Sequence, residues 1–370
     1  MNYYLFLPLT LLGYWEPKGK SASRRWHHPS SINILAISFE LFIIAFLIAG
    51  CGSPSHLQKE LGYSGDAIVL IVNADDVGLN ADVTDATIQA MKQGLVTSGS
   101  IMVPCPDFNR TISIWKKEPD LDFGIHLTLT CEWGQLYPWV PVLPKVVVPS
   151  LFTQEGLMWP NVESLVQHAK LDEVLMEAEA QIQKVLALGV QPTHLDDHMG
   201  WYKANTKYFE GIMKLAQKYH MPMRVWQNKR TRLPWWPNDP AEMRRKGYVF
   251  PDSQESFYFI EGENERNGLR QEKYLQFLEG LPPGVHEVAI HVAFRTAMIE
   301  TFMGLDDAGR RKTDFDIWTS QETRTIIQNR GIALIGFREI QKLQKAKSLP
   351  GWPNSVTYSS SLPLLKYLAN

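Results

Sequence analysis

Four short stretches of this chain combine residue types that bind metal ions or move protons. In IVNADDVGLN (71–80) a run of apolar residues drives into two adjacent carboxylates, Asp75 and Asp76. His126 interrupts the apolar GIHLTLT (124–130), while His194, Asp196, Asp197 and His198 crowd PTHLDDH (192–198). His291 closes the apolar run in EVAIHVAF (287–294). Taken singly, each has a plain structural explanation: an acid ahead of a helix is a common N-cap, and a lone histidine on an apolar strand is often a satisfied core residue. Together they raise a charge problem. Neighbouring carboxylates repel, and each costs on the order of several kcal/mol to bury unless it is paired, protonated or bound to a cation. Imidazole with carboxylate is a ligand set for divalent metals, so a divalent metal ion is the expected compensation, with Zn, Mg, Mn and Co all open. On an extended strand His194, Asp196 and His198 share one face and Asp197 points away.

The elements that must position these groups alternate between strand and helix. Strands are expected at 67–74, 98–104, 122–130, 192–198, 221–227, 285–294 and 332–337. Helical periodicity covers 82–94, 107–117, 162–189 with a break near 170, 205–219, 269–280 and 320–331. A Pro-rich aromatic loop fills 131–160, and 228–268 reads as an irregular excursion. Alternation of this kind calls for a parallel sheet covered by helices. No G-x-G-x-x-G or G-x-x-x-x-G-K follows the first strand, only the lone Gly78, which disfavours an open nucleotide-binding sheet. The expectation is an α/β fold, a distorted, TIM-like (β/α) barrel with fewer than eight clean repeats. In such a barrel the carboxyl ends of the strands meet at one mouth, where Asp75, Asp76, His126, the cluster His194, Asp196, Asp197 and His198, and His291 would converge.

With 45% hydrophobic residues in 370, the chain can bury a large core, and 37 basic against 39 acidic side chains argue against nucleic acid as a partner. Residues 32–50 form an apolar run behind a basic flank and end at Cys51 in IAGC, which resembles a bacterial lipobox. Residues 1–51 are therefore read as a signal and lipoprotein segment, or else a retained hydrophobic anchor, placing the protein at a membrane of the cell envelope. A linker (52–66), the barrel (67–345) and a C-terminal tail (346–370) follow. Cys105 and Cys131 could pair or stay as free thiols. The 12 Trp include several in Pro-rich stretches, where stacking on sugar rings competes with ordinary packing. Trp201 and Tyr202 are candidate sugar contacts, and Arg224 and Arg295 candidates for an acidic substituent or for surface ion pairs.

In order and spacing, IVNADDVGLN, GIHLTLT, PTHLDDH and EVAIHVAF resemble the motifs of the YdjC-like carbohydrate deacetylases, which include the chitooligosaccharide deacetylases. The likeness runs from about residue 67 to about 340. It implies a distorted (β/α) barrel and a metal-dependent hydrolase that removes acetyl groups from N-acetylated sugars or oligosaccharides. It also implies that Asp76, His126 and His198 hold the metal, that Asp75 is the general base, and that His291 is an acid or a substrate contact. The chain departs from the family pattern in reading MGWY after His198 and Val292 after His291. Alternatives are another metal-dependent barrel hydrolase or sugar isomerase, which would not release acetate, and a lipid-anchored glycan-binding protein with decayed catalysis. A two-histidine, one-carboxylate iron oxygenase is disfavoured by the strand-helix alternation.

Overall fold

The computed structural model describes residues 57–225, 240–258 and 268–347. The expected signal or anchor segment, with Cys51, lies outside them, as does the tail beyond 347. Among the described residues, seven strands form one sheet: β1 (Ile68–Val77), β2 (Ser98–Ile101), β3 (Phe123–Leu127), β4 (Leu195–Asp197), β5 (Ser253–Ser256), β6 (Gly284–Ile290) and β7 (Ala333–Leu334). Every pairing is parallel. The order is β4-β3-β2-β1-β6-β5, with β7 against the start of β1. Read from β5, this is 5-6-1-2-3-4. After β4 the chain crosses to the far edge and works back inward to β1, whereas a doubly wound sheet would continue outward from β1. Cyclic order of this kind belongs to a barrel, and the expected α/β barrel is present as a half-barrel jacketed by helices.

Strand alternation divides β1 into two faces. Leu70, Val72 and Ala74 pack outward against Ala86 and Ala90 of the helix Ala81–Lys92 and against Trp318. Val69 and Ile71 face inward, beside Val285 and Phe337. On the same inward face the residues turn polar towards the carboxyl end, with Asn73 and then Asp75, and β6 repeats the trend from Val285 to Glu287. The lower barrel is thus sealed by aliphatic side chains and the upper barrel is a buried polar well.

Several elements differ from the sequence expectations. The long helix does break, into Val162–His168 and Leu171–Ala187. Of the strand expected at 221–227, the described residues 221–225 form a single bridge between Leu195 and Met223, residues 226 and 227 lie outside the described residues, and the last strand is two residues long. Part of the expected linker, Leu57–Glu60, is a helical turn whose Leu57 joins the inner apolar cluster. Within the supposed excursion 228–268 lie the helix Pro240–Arg245 and β5, an edge strand of sequence SQES with no apolar alternation to betray it. The helix Leu305–Thr319 escaped detection because its inward positions Asp307, Arg311 and Asp314 are charged, so its buried face carries little hydrophobic period. The helices Ala297–Met303 and Phe337–Ala346 were likewise unexpected.

At the floor of the well, His194 stacks on Phe337 with ring centroids 3.9 Å apart. Its ring fits there because Gly124 has no side chain; a Cβ at Gly124 would sit 2.4 Å from the imidazole. Gly124→Ala is expected to destabilise the fold by about 1–3 kcal/mol through overpacking, and to lower the Tm by several degrees. Thermal unfolding checks this, and an unchanged Tm would show that the ring is free to move aside.

Candidate active site

Alternation alone would send Asp76 outward with Leu70, Val72 and Ala74, away from Asp75. A β-bulge prevents this: Ala74 pairs with Gly99 and Val77 with Ile101, so three steps along β1 match two along β2. Asp76 itself adopts the left-handed region, with φ +67°. Few residues other than glycine tolerate that conformation, and aspartate is among those that do so most readily. Both carboxylates therefore line one cavity of about 360 Å³ at the carboxyl ends of the strands.

Asp76, His126 and His198 converge there, with one ligand atom from each lying within 4.8 Å of the others. His126 Nε2 is 3.2 Å and His198 Nδ1 3.1 Å from the same oxygen, Asp76 Oδ1. Each ring is gripped by a second carboxylate on its other nitrogen. His126 Nδ1 lies 2.9 Å from Asp196 Oδ1, its register neighbour on β4, and His198 Nε2 lies 2.9 Å from Glu132 Oε2. Such outer carboxylates fix the tautomer and leave the inward nitrogen free to coordinate. Two imidazoles and one carboxylate so oriented fit a divalent cation. Burial opposes charge on His126, but Asp196 and Asp76 hold its imidazolium well above the usual range. Burial likewise opposes charge on His198, yet Glu132 and Asp76 bring it up to about 9. In the metal-free site, protons on the rings help to balance the surrounding carboxylates.

Asp75 stands beside this centre. Arg224 grips it with Nη1 at 2.7 Å from Oδ2 and Nη2 at 2.8 Å from Oδ1, and the Asn73 amide donates to Oδ1 at 2.9 Å. The same guanidinium lies 3.1 Å from Asp196 and donates through Nε to Glu287 at 2.7 Å. Burial would raise the Asp75 pKa, but Arg224 outweighs it and keeps the carboxylate below its ordinary value. Glu287, also buried, is pushed up to about 7 despite Arg224. His291 Nε2 lies 4.0 Å from Asp75 Oδ2, and its ring packs 4.3 Å from Tyr258. Burial drives its pKa down to about 4, so it is neutral at pH 7. Asp76 is neutralised separately by Arg311, whose Nη2 donates to Oδ2 at 2.6 Å.

All five expected site residues thus line one cavity. Among the neighbours, His194 lies a layer deeper, with burial pressing its pKa down to about 3, whereas Asp197, expected to point away, lines the same cavity while its Oδ2 accepts from the Tyr202 amide. Several expectations need correction. Trp201 and Tyr202 are fully buried, donating to the Leu127 and Arg224 carbonyls, so neither is a sugar contact. Arg224 is a buried hub and not a surface residue, whereas Arg295 pairs with Glu300 at the surface. Cys105 and Cys131 are free, buried thiols. Glu132, Glu287 and Arg311 were missed. Glu132 sits in a loop without periodicity, held in place where Glu177 accepts the Val142 and Leu143 amides and Trp139 donates to the Thr130 carbonyl. Glu287 was legible only as a charge in an otherwise apolar strand.

The YdjC-like protein family matches residues 69–329, and the chain belongs to that family. A carbohydrate deacetylase of Enterococcus faecalis is 29% identical over 282 residues, spanning 73% of this chain and 97% of its own. A chitooligosaccharide deacetylase of Yersinia enterocolitica is 27% identical, spanning 73% and 98%. The crystal structure of an Enterococcus faecalis protein, provisionally described as a cellobiose-phosphate cleavage protein, superposes with a TM-score of 0.62 at 28% identity, covering 73% of this chain and 98% of that one.

Metal binding must displace protons from the two rings. The affinity of the metal-free protein for a divalent ion is expected to climb between pH 6.5 and about 9, with proton release. Calorimetry in buffers of different ionisation enthalpy measures this, and a flat affinity over that window would rule out His198 as a ligand.

Proposed function

We propose that the protein is a metal-dependent carbohydrate deacetylase that hydrolyses the amide of an N-acetylated sugar or oligosaccharide. The observation that carries this reading is the convergence of Asp76, His126 and His198 beside an independently held Asp75. The names of the relatives supply the substrate class. A divalent cation held by Asp76, His126 and His198 would supply Lewis-acid chemistry, acidifying water and polarising the acetyl carbonyl.

The side chains then divide the proton transfers. Asp75 accepts the proton of the attacking water, and Arg224 keeps its carboxylate ionised and aimed into the cavity. His291, neutral in the resting site, takes up that proton from 4.0 Å away and delivers it to the departing nitrogen. Trp133 and Tyr258 on the cavity wall offer apolar faces to a sugar ring. A glycan-binding protein with decayed catalysis would have no need to keep Asp75, Asp76, His126, His198 and His291 together in one cavity.

The apolar run 32–50 ending at Cys51 supports a lipid-anchored placement in the cell envelope. Among the described residues no helix is long and apolar enough to cross a membrane. Cys51→Ser is expected to release the protein from the membrane fraction, and its retention there would favour a hydrophobic anchor.

Asp75→Asn is expected to lower acetate release by at least about 1,000-fold while metal stays bound, whereas His126→Ala and His198→Ala lose metal and activity together. Elemental analysis with an acetate-release screen over acetylated oligosaccharides reads both outcomes. Equal metal loss in all three variants would erase the separation of base and ligand roles, and isomerised sugar without acetate would point to the isomerase alternative.

A further inference from the structure

We infer that Arg311 is a catalytic residue: its guanidinium donates hydrogen bonds to the oxyanion formed from the acetyl group, making an acetate-sized anion site on the wall of the cavity. This deepens the deacetylase reading and rests on it.

Arg311 is 1% exposed, on the inward face of the helix Leu305–Thr319, and lines the cavity with the ligand and base residues. One nitrogen, Nη2, donates to Asp76 Oδ2. Among the described residues Nε and Nη1 have no acceptor, an arrangement that is unfavourable for a buried cation. Neutralising Asp76 requires only Nη2, so the idle donors call for a further partner. The other buried guanidinium of the cavity is already committed, since Arg224 directs all three nitrogens to Asp75, Asp196 and Glu287. The guanidinium carbon of Arg311 lies 5.8 Å from the Trp133 ring centroid and 5.7 Å from that of Tyr258, so it sits between two aromatic walls. Tyr258 is in turn tied to Asp307 through its hydroxyl. The position is thereby preorganised, and it adjoins the carboxylate shared by His126 and His198, where charge develops during acyl transfer.

In the reaction, the water oxygen bonds to the acetyl carbon, its proton passes to Asp75, and the carbonyl π pair moves onto oxygen. That oxyanion accepts hydrogen bonds from Arg311. When the pair returns, the carbon–nitrogen bond breaks, and nitrogen takes its electrons and the proton that His291 has received from Asp75. The acetic acid so formed gives its proton to the amine, and acetate and the protonated amine leave. Arg311 exchanges no proton, since a guanidinium stays charged throughout. Product acetate then occupies the same donors.

The test compares Arg311→Gln and Arg311→Lys with wild type, each metal-loaded and with metal content measured. For Arg311→Gln, kcat is expected to fall about 100- to 1,000-fold with KM within about threefold, and acetate binding, followed by calorimetry, to weaken at least about 10-fold. Arg311→Lys, which restores charge but not the planar donor geometry, should lie between. Unchanged acetate affinity in Arg311→Gln, or a kcat deficit abolished by saturating metal, would overturn the inference. Failure of the wild type to release acetate from any acetylated sugar would instead overturn the deacetylase reading, and the direct acetate titration would still decide whether Arg311 forms an anion site.

Discussion

The site depends on one local distortion. Consecutive residues of a strand face opposite ways, yet Asp75 and Asp76 must both reach the same cavity. The bulge in β1 and the left-handed turn at Asp76 solve this, and the surrounding charges then sort themselves around the pair. Arg224 arrives just after the bridge at Met223 to hold Asp75, and Arg311 arrives from a helix 235 residues downstream to hold Asp76. The cation expected from the sequence is thus not the sole compensation. Each aspartate has its own buried guanidinium, Arg224 for Asp75 and Arg311 for Asp76, which leaves Asp76 Oδ1 facing the two imidazoles.

The barrel turns this local geometry into a site. Parallel register places His126 directly across from Asp196, so the outer carboxylate of one imidazole is fixed by strand pairing itself. His198 lacks that support, because β4 ends at Asp197, and a loop residue, Glu132, does the same work. One imidazole is therefore held by the sheet and the other by a loop that is itself pinned through Glu177.

Much of this was legible because strand ends are marked by sharp changes from apolar to ionisable residues, and Asp75, Asp76, His126, His198 and His291 all stand at such changes. What stayed hidden were groups whose partners lie far away in the chain. Arg311 occupies an inward helical position where pattern reading expects an apolar residue, and the charged positions around it concealed the helix as well. The SQES strand was hidden for a similar reason, being held at an edge by backbone pairing with β6 and not by an apolar face. Trp201 and Tyr202 misled in the opposite sense: aromatic rings following a ligand suggested sugar stacking, yet their polar tips are satisfied by backbone carbonyls inside the core.

The left-handed backbone at Asp76 also restricts how the protein can diversify. Lengthening this carboxylate to glutamate would both move the oxygen and place a residue less suited to that conformation at a strained turn. Variation in this cavity is more readily reached by changing what leans on the imidazoles, Glu132 above all, than by exchanging the carboxylate that β1 presents.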